Sequence, residues 1–263
     1  MTVLLLPKQD IGIIPPTPFA PVLSDSVTPT THALLYKLSN KLGQPVGYLQ
    51  EQQGSIVQNI FPNPKTEYLQ ISTSSKVNLD LHTESCFHPY LPDYVLLLCL
   101  RGDPAAATTY ADLEDILPDL SDKCINILKQ PWFRTSVDES FRTNGEPDQP
   151  RDIAILNERP DGSYQLKYDK SVMVGLWKDA VRALETLDEA IKKHTKDIVL
   201  NTGEVLVIDN ATTVHGRKPF QARYDGTDRW LQRVLVRKNV KDMPSTNCAK
   251  TGYLIITKYT EEV

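Results

Sequence analysis

Short apolar runs separated by polar turns dominate this chain, and only two stretches repeat apolar residues at helical spacing. The run Tyr94 to Leu100 is almost wholly apolar and short, as expected of a strand buried on both faces. Glu204 to Ile208, opened by Gly203, and Trp230 to Val236 read as two further buried strands. Between Tyr48 and Val77, short apolar stretches are punctuated by Pro62, Pro64 and a Ser/Thr cluster, which predicts strands and loops. The first helical stretch has Leu34, Leu35, Leu38 and Leu42 on one face, with Thr31 as the expected cap and Gly43 as the stop. The second runs through Leu176, Ala180, Leu184, Leu187 and Ile191, a stripe that predicts core packing. The pattern predicts a mainly β fold of barrel or sandwich type with flanking helices.

From Trp132 to Lys170 the periodicity weakens. Gly145, Pro147, Pro150, Pro160 and Gly162 break it repeatedly. Long irregular stretches inside compact folds are often lids or binding loops, and we expect an insertion of that kind at about 132–170 within a single domain spanning 1–263. Solvated loop is the plain alternative.

Composition narrows the partners. With 40% hydrophobic and 24% charged residues and a net charge of -4, the chain gives no reason to expect nucleic acid or an anionic membrane as partner. The four cysteines, Cys86, Cys99, Cys124 and Cys248, lack CxxC spacing, which points to reduced thiols and a cytoplasmic protein. Val3 to Leu6 is too short for a signal peptide and is broken by Pro7, and no apolar stretch reaches membrane-spanning length.

His82 and Glu84 are two residues apart, and His215 lies far beyond them in Val-His-Gly-Arg. Strand side chains alternate faces, so His82 and Glu84 would point the same way, with Thr83 pointing away. Two histidines and one carboxylate are the side-chain set of the facial triad that holds non-haem Fe(II) and leaves positions open for chemistry. The turn Asp209 to Thr213 sets up His215 as the distant ligand. Arg229 and Arg233 follow at 14 and 18 residues beyond His215, and on a strand both would share a face with Leu231. A guanidinium fork pairs with a carboxylate through two hydrogen bonds, so they suit carboxylate ligands; two ordinary surface arginines are the alternative.

Leu81-His82-Thr83-Glu84-Ser85, Phe87-His88-Pro89-Tyr90, Pro92-Asp93-Tyr94 and Leu97-Leu98-Cys99-Leu100-Arg101 resemble the clavaminate synthase-like group of Fe(II)/2-oxoglutarate-dependent oxygenases. So do Asp209-Asn210, Val214-His215-Gly216-Arg217, Phe220, Arg223-Tyr224-Asp225-Gly226 and Arg229-Trp230-Leu231-Gln232-Arg233, and the likeness covers roughly Gly47 to Val236. The resemblance implies a double-stranded β-helix, or jelly-roll, core. It implies Fe(II) on His82, Glu84 and His215, 2-oxoglutarate on Arg229, and a substrate carboxylate on Arg233. Thr108 is the expected second cosubstrate contact, with Thr109 as the alternative. Relatives acting on arginine-like amino acids place an acidic residue before the helix that follows the insertion, and Asp169 is similar to it; a helix-start role for Asp169 competes. A polar residue within Glu51 to Gln53 is implied for the substrate amine.

The implied activity is hydroxylation of a free, basic amino acid at an aliphatic carbon, with O2 as the other cosubstrate and desaturation or ring formation as variants. A carboxylate at Glu84 argues against halogenation, which needs that position for halide. A zinc deaminase is excluded by the absence of Pro-Cys-x-x-Cys. A zinc hydrolase with two histidines and one glutamate, and a metal-free jelly-roll binding protein, stay as alternatives. His32, His88 and His194 are read as non-ligands, His88 being expected near the mouth of the site.

Overall fold

The computed structural model describes residues 2–19, 28–142, 145, 148–241, 245–247 and 254–256. Cys248 lies outside them; Cys86, Cys99 and Cys124 are buried and free. The strand Tyr94–Arg101 is central to an eight-stranded sheet, hydrogen-bonded antiparallel to Val205–Asp209 on one side and Trp230–Arg237 on the other. Its side chains divide as strand geometry dictates. Val95, Leu97 and Cys99 join one apolar cluster, whereas Leu96, Leu98 and Leu100 join another, under Leu35 of the first helix. Both faces are therefore covered, which is why the segment reads as continuous apolar sequence.

A second sheet has four strands in the order Lys196–Ile198, Thr108–Asp112, Thr213–Arg217, Leu79–His82. The helix Lys178–His194 covers it through Ala180, Ala183, Leu187, Ala190 and Ile191, which pack with Ala111 and Val214 of the sheet. The two sheets make the jelly-roll core, and one cavity takes lining residues from both.

Three details differ from the sequence reading. The first helix spans Pro29–Ser39, so Thr31 lies inside it, with its hydroxyl on the Thr28 carbonyl, and Thr28 precedes it. Pro29 explains the earlier start: it lacks an N–H that a helix leaves unpaired at that position anyway. Leu176 falls just outside the Lys178–His194 helix, ahead of Trp177. The segment 132–170 is more regular than its prolines suggest. It holds the short paired strands Phe133–Thr135 with Arg151–Ile153 and Leu156–Glu158 with Tyr164–Leu166, besides the turn of helix Glu139–Arg142.

Candidate metal centre

His215 sits mid-strand in Thr213–Arg217, flanked on both sides by the small sheet. His82 is its direct partner across the ladder, and the imidazole centroids are 4.6 Å apart. The His82 strand ends at that residue, so Glu84 reaches the same space from the turn beyond it and not by strand alternation. Thr83 does point away: its hydroxyl accepts from the Tyr168 N–H at 3.1 Å, and it does not line the cavity. One ligand atom from each of His82, Glu84 and His215 lies within 4.8 Å of the others.

The surroundings prepare these atoms for a cation. His82 Nδ1 lies 2.7 Å from the Asp80 carbonyl; with the proton there, Nε2 keeps its lone pair. Glu84 Oε2 is 3.6 Å from His215 Nε2, too long for a hydrogen bond, and has no hydrogen-bond partner among the described residues. Burial holds the His215 ring below the usual histidine range, against the pull of Glu84, so the pair is a neutral ring facing a carboxylate. Burial also opposes ionisation of Glu84. The Arg233 guanidinium, His215 and His82 outweigh it and keep that carboxyl well below the usual range. A buried carboxylate oxygen without a donor, set between two imidazoles, is the donor set of a divalent metal and fits Fe(II).

The close strand approach depends on Gly216. A Cβ there would stand 2.4 Å from the Leu79 carbonyl oxygen and 3.1 Å from Thr109 Oγ1. We expect Gly216→Ala to push the His82 strand outward, lowering unfolding free energy by about 1–3 kcal/mol and weakening metal binding. Urea unfolding and metal titration of the same preparation check this; unchanged values in both would show that the strand yields freely.

Arg229, Leu231 and Arg233 all line the cavity, as a shared strand face predicts. The two arginines differ in state. All three Arg233 nitrogens are engaged: Nε donates to Gln58 at 2.7 Å, and the two terminal nitrogens to Glu84 at 2.7 Å and Glu51 at 2.9 Å, which leaves one N–H on each terminal nitrogen for a further acceptor. Arg229 is 7% exposed and hydrogen-bonds to no acceptor among the described residues. Burial pulls its pKa down to about 10, partly resisted by Cys99 and Asp103. An unpaired guanidinium facing a cavity calls for an anion. Thr108 is buried and lines the same cavity, whereas Thr109 does not.

Asp169 also lines the cavity and forms an isolated bridge with His82. Its Oδ1 accepts from the Ser171 N–H and hydroxyl, and the helix starts only at Lys178, so the helix-start reading of Asp169 is wrong. Sequence reasoning missed Asp138. It lines the cavity from within 132–170, and its Oδ1 is buried without a hydrogen-bond partner among the described residues. Burial raises its pKa far above the usual carboxylate range, and Asp169, Glu84 and Glu51 add to the effect. Glu51 is the member of the Glu51–Gln53 group that reaches the cavity, presented by a turn in which Gln52 and Gln53 take left-handed conformations with φ of 44° and 57°. His88 does not stand at the mouth. It is buried against Tyr48 with ring centroids 4.8 Å apart. His194 lies on the surface, where it contacts Asp119 at 2.7 Å.

Known proteins resemble this chain in sequence and fold. The model of the family described as "Taurine catabolism dioxygenase TauD, TfdA family" matches residues 21–235. L-asparagine oxygenase of Streptomyces coelicolor is 36% identical over 238 residues, covering 90% of this chain and 70% of the relative. The non-heme iron oxygenase OrfP, in complex with Fe, succinate and (3S)-hydroxy-L-Arg, superposes with a TM-score of 0.87 at 31% identity. The match covers 97% of this chain and 82% of that one. In complex with Fe and alpha-ketoglutaric acid the same oxygenase gives 0.81 at 34% identity, covering 92% and 76%.

Proposed function

We propose, given that this chain belongs to the TauD, TfdA dioxygenase family and is an Fe(II)/2-oxoglutarate-dependent oxygenase, that it hydroxylates an aliphatic carbon of a free basic amino acid. Arginine and lysine are the model substrates. His82, Glu84 and His215 would hold Fe(II), which with O2 and 2-oxoglutarate supplies the oxidation of an unactivated C–H bond, yielding alcohol, succinate and carbon dioxide. The remaining chemistry is recognition. Arg229, with Thr108 beside it in the cavity, would take the distal carboxylate of 2-oxoglutarate.

One observation carries the substrate class: Asp138 and Asp169 line the cavity together, and Asp138 has a buried oxygen with no hydrogen-bond partner among the described residues. Carboxyls crowded in a desolvated space are stabilised by a cation, and a neutral side chain would leave them uncompensated. At the other end of the substrate, Arg233 and Glu51 form an ion pair. An amino acid zwitterion can insert there, its carboxylate taking Arg233 and its ammonium taking Glu51, so that charge stays matched. The segment 132–170, which brings Asp138 to the cavity, acts as a lid that shuts out water and so strengthens those pairings. The protein works as a cytoplasmic enzyme. Among the described residues no helix is long and apolar enough to cross a membrane, and the three described cysteines are free.

The test is a screen of the common amino acids for substrate-dependent succinate formation with Fe(II) and 2-oxoglutarate. Arginine, lysine or a homologue should stimulate turnover, and Asp169→Asn should raise the apparent KM for that substrate by roughly 10–100-fold, the worth of a charged hydrogen bond. Inert basic amino acids beside an active neutral one, such as asparagine, would show that Asp138 and Asp169 have been misassigned.

A further inference from the structure

No ladder partner fixes Glu84, because the strand carrying His82 stops before it. Ser85, next along, takes a left-handed φ of 54°, so the chain is turning as it presents the ligand. Both backbone groups of Glu84 go instead to a single side chain. Asn210 Oδ1 accepts from the Glu84 N–H at 2.6 Å, and Asn210 Nδ2 donates to the Glu84 carbonyl at 3.1 Å and to the Pro92 carbonyl at 2.9 Å. Asn210 is fully buried, and its own N–H donates to the Asp93 carbonyl at 2.9 Å. It lies in the turn between Val205–Asp209 and the His215 strand. A primary amide offers the same adjacent donor and acceptor as a strand edge. Aspartate lacks the donor, and glutamine is one methylene longer.

We propose that Asn210 is a positioning residue for the carboxylate ligand: it substitutes for the missing ladder and ties Glu84 to the segment that delivers His215. The inference rests on the triad reading of the site. Ligand atoms held in register by outer partners bind metal more tightly, and loss of such a partner typically weakens binding about 10–100-fold.

The experiment measures Ni(II) binding by calorimetry on the full chain, in wild type, Asn210→Ala, Glu84→Ala and the double variant. Ni(II) is chosen because its high place in the affinity order keeps a two-histidine site measurable. Asn210→Ala should cost about 10–100-fold in the native background and less than about twofold once Glu84 is already alanine, the scatter expected of independent sites. An equal loss in both backgrounds would mean a general structural role and overturn the proposal, as would no loss in the native background. Should Asn210→Ala fail to fold, Asn210→Leu in the same two backgrounds decides the matter, since it keeps most of the volume and removes donor and acceptor without adding charge. Wild type that binds no Ni(II) would overturn the triad reading itself; wild type that binds, with Asn210 variants unchanged, would overturn this inference alone.

Discussion

Replacing His82, Glu84 or His215 by alanine is expected to abolish 2-oxoglutarate turnover, and the three variants should differ in stability. Each removes one of three ligand atoms that lie within 4.8 Å of one another, leaving too few to hold Fe(II) with positions open for chemistry. His82→Ala deletes one hydrogen bond, to the Asp80 carbonyl, and His215→Ala deletes a ring whose Nδ1 has no hydrogen-bond partner among the described residues. Those two changes should cost about 1–2 kcal/mol each. Glu84→Ala takes away one of the two carboxylates that neutralise Arg233 inside the protein. Breaking a buried pair costs about 3–5 kcal/mol, and the remaining Glu51 contact places this case at the lower end. The expected order of thermal midpoints is therefore His variants above Glu84→Ala, by several degrees for a chain of this size. Full turnover by any of the three would sink the triad.

Arg229 should show the opposite relation between binding and stability. Arg229→Lys keeps the charge and loses the fork, so 2-oxoglutarate affinity should fall by about 1.5–3 kcal/mol. Arg229→Met should lose more, yet raise the stability of the ligand-free protein, because it removes a buried cation that hydrogen-bonds to no acceptor among the described residues. Calorimetric binding of 2-oxoglutarate to the metal-loaded protein and unfolding of the ligand-free protein give the two numbers. Unchanged affinity would mean that another residue holds the distal carboxylate. Lower stability in Arg229→Met would mean that packing of the arginine stem outweighs burial of its charge.

The sequence made some of this legible because local pattern and buried position coincide. Tyr94–Arg101 and Trp230–Arg237 read as apolar runs because both faces of the sheet are covered, and the shared face of Arg229, Leu231 and Arg233 follows from strand alternation alone. The structure brings Glu84 beside His82 and His215, but not by strand alternation: a His-x-Glu spacing looks the same whether or not the strand continues past the histidine. Asp138 carried no signal, since a lone aspartate among prolines and mixed charges resembles a solvated loop until the fold turns it inward. The turn that Ser171 closes on Asp169, ahead of the helix that begins at Lys178, leaves no periodic mark in the sequence. Asn210 stood inside a polar turn, and nothing in that turn reveals that its amide faces the backbone of Glu84, 126 residues earlier.

Turning the iron-loaded enzyme over with 2-oxoglutarate and arginine or lysine under isotopically heavy dioxygen, and weighing the products, is the most direct test of hydroxylation at this site. The expected product is a hydroxylated amino acid carrying one heavy oxygen atom, formed with one succinate per turnover and lost in His215→Ala. Heavy oxygen absent from the product, or product formed undiminished by His215→Ala, would contradict that reading of the site.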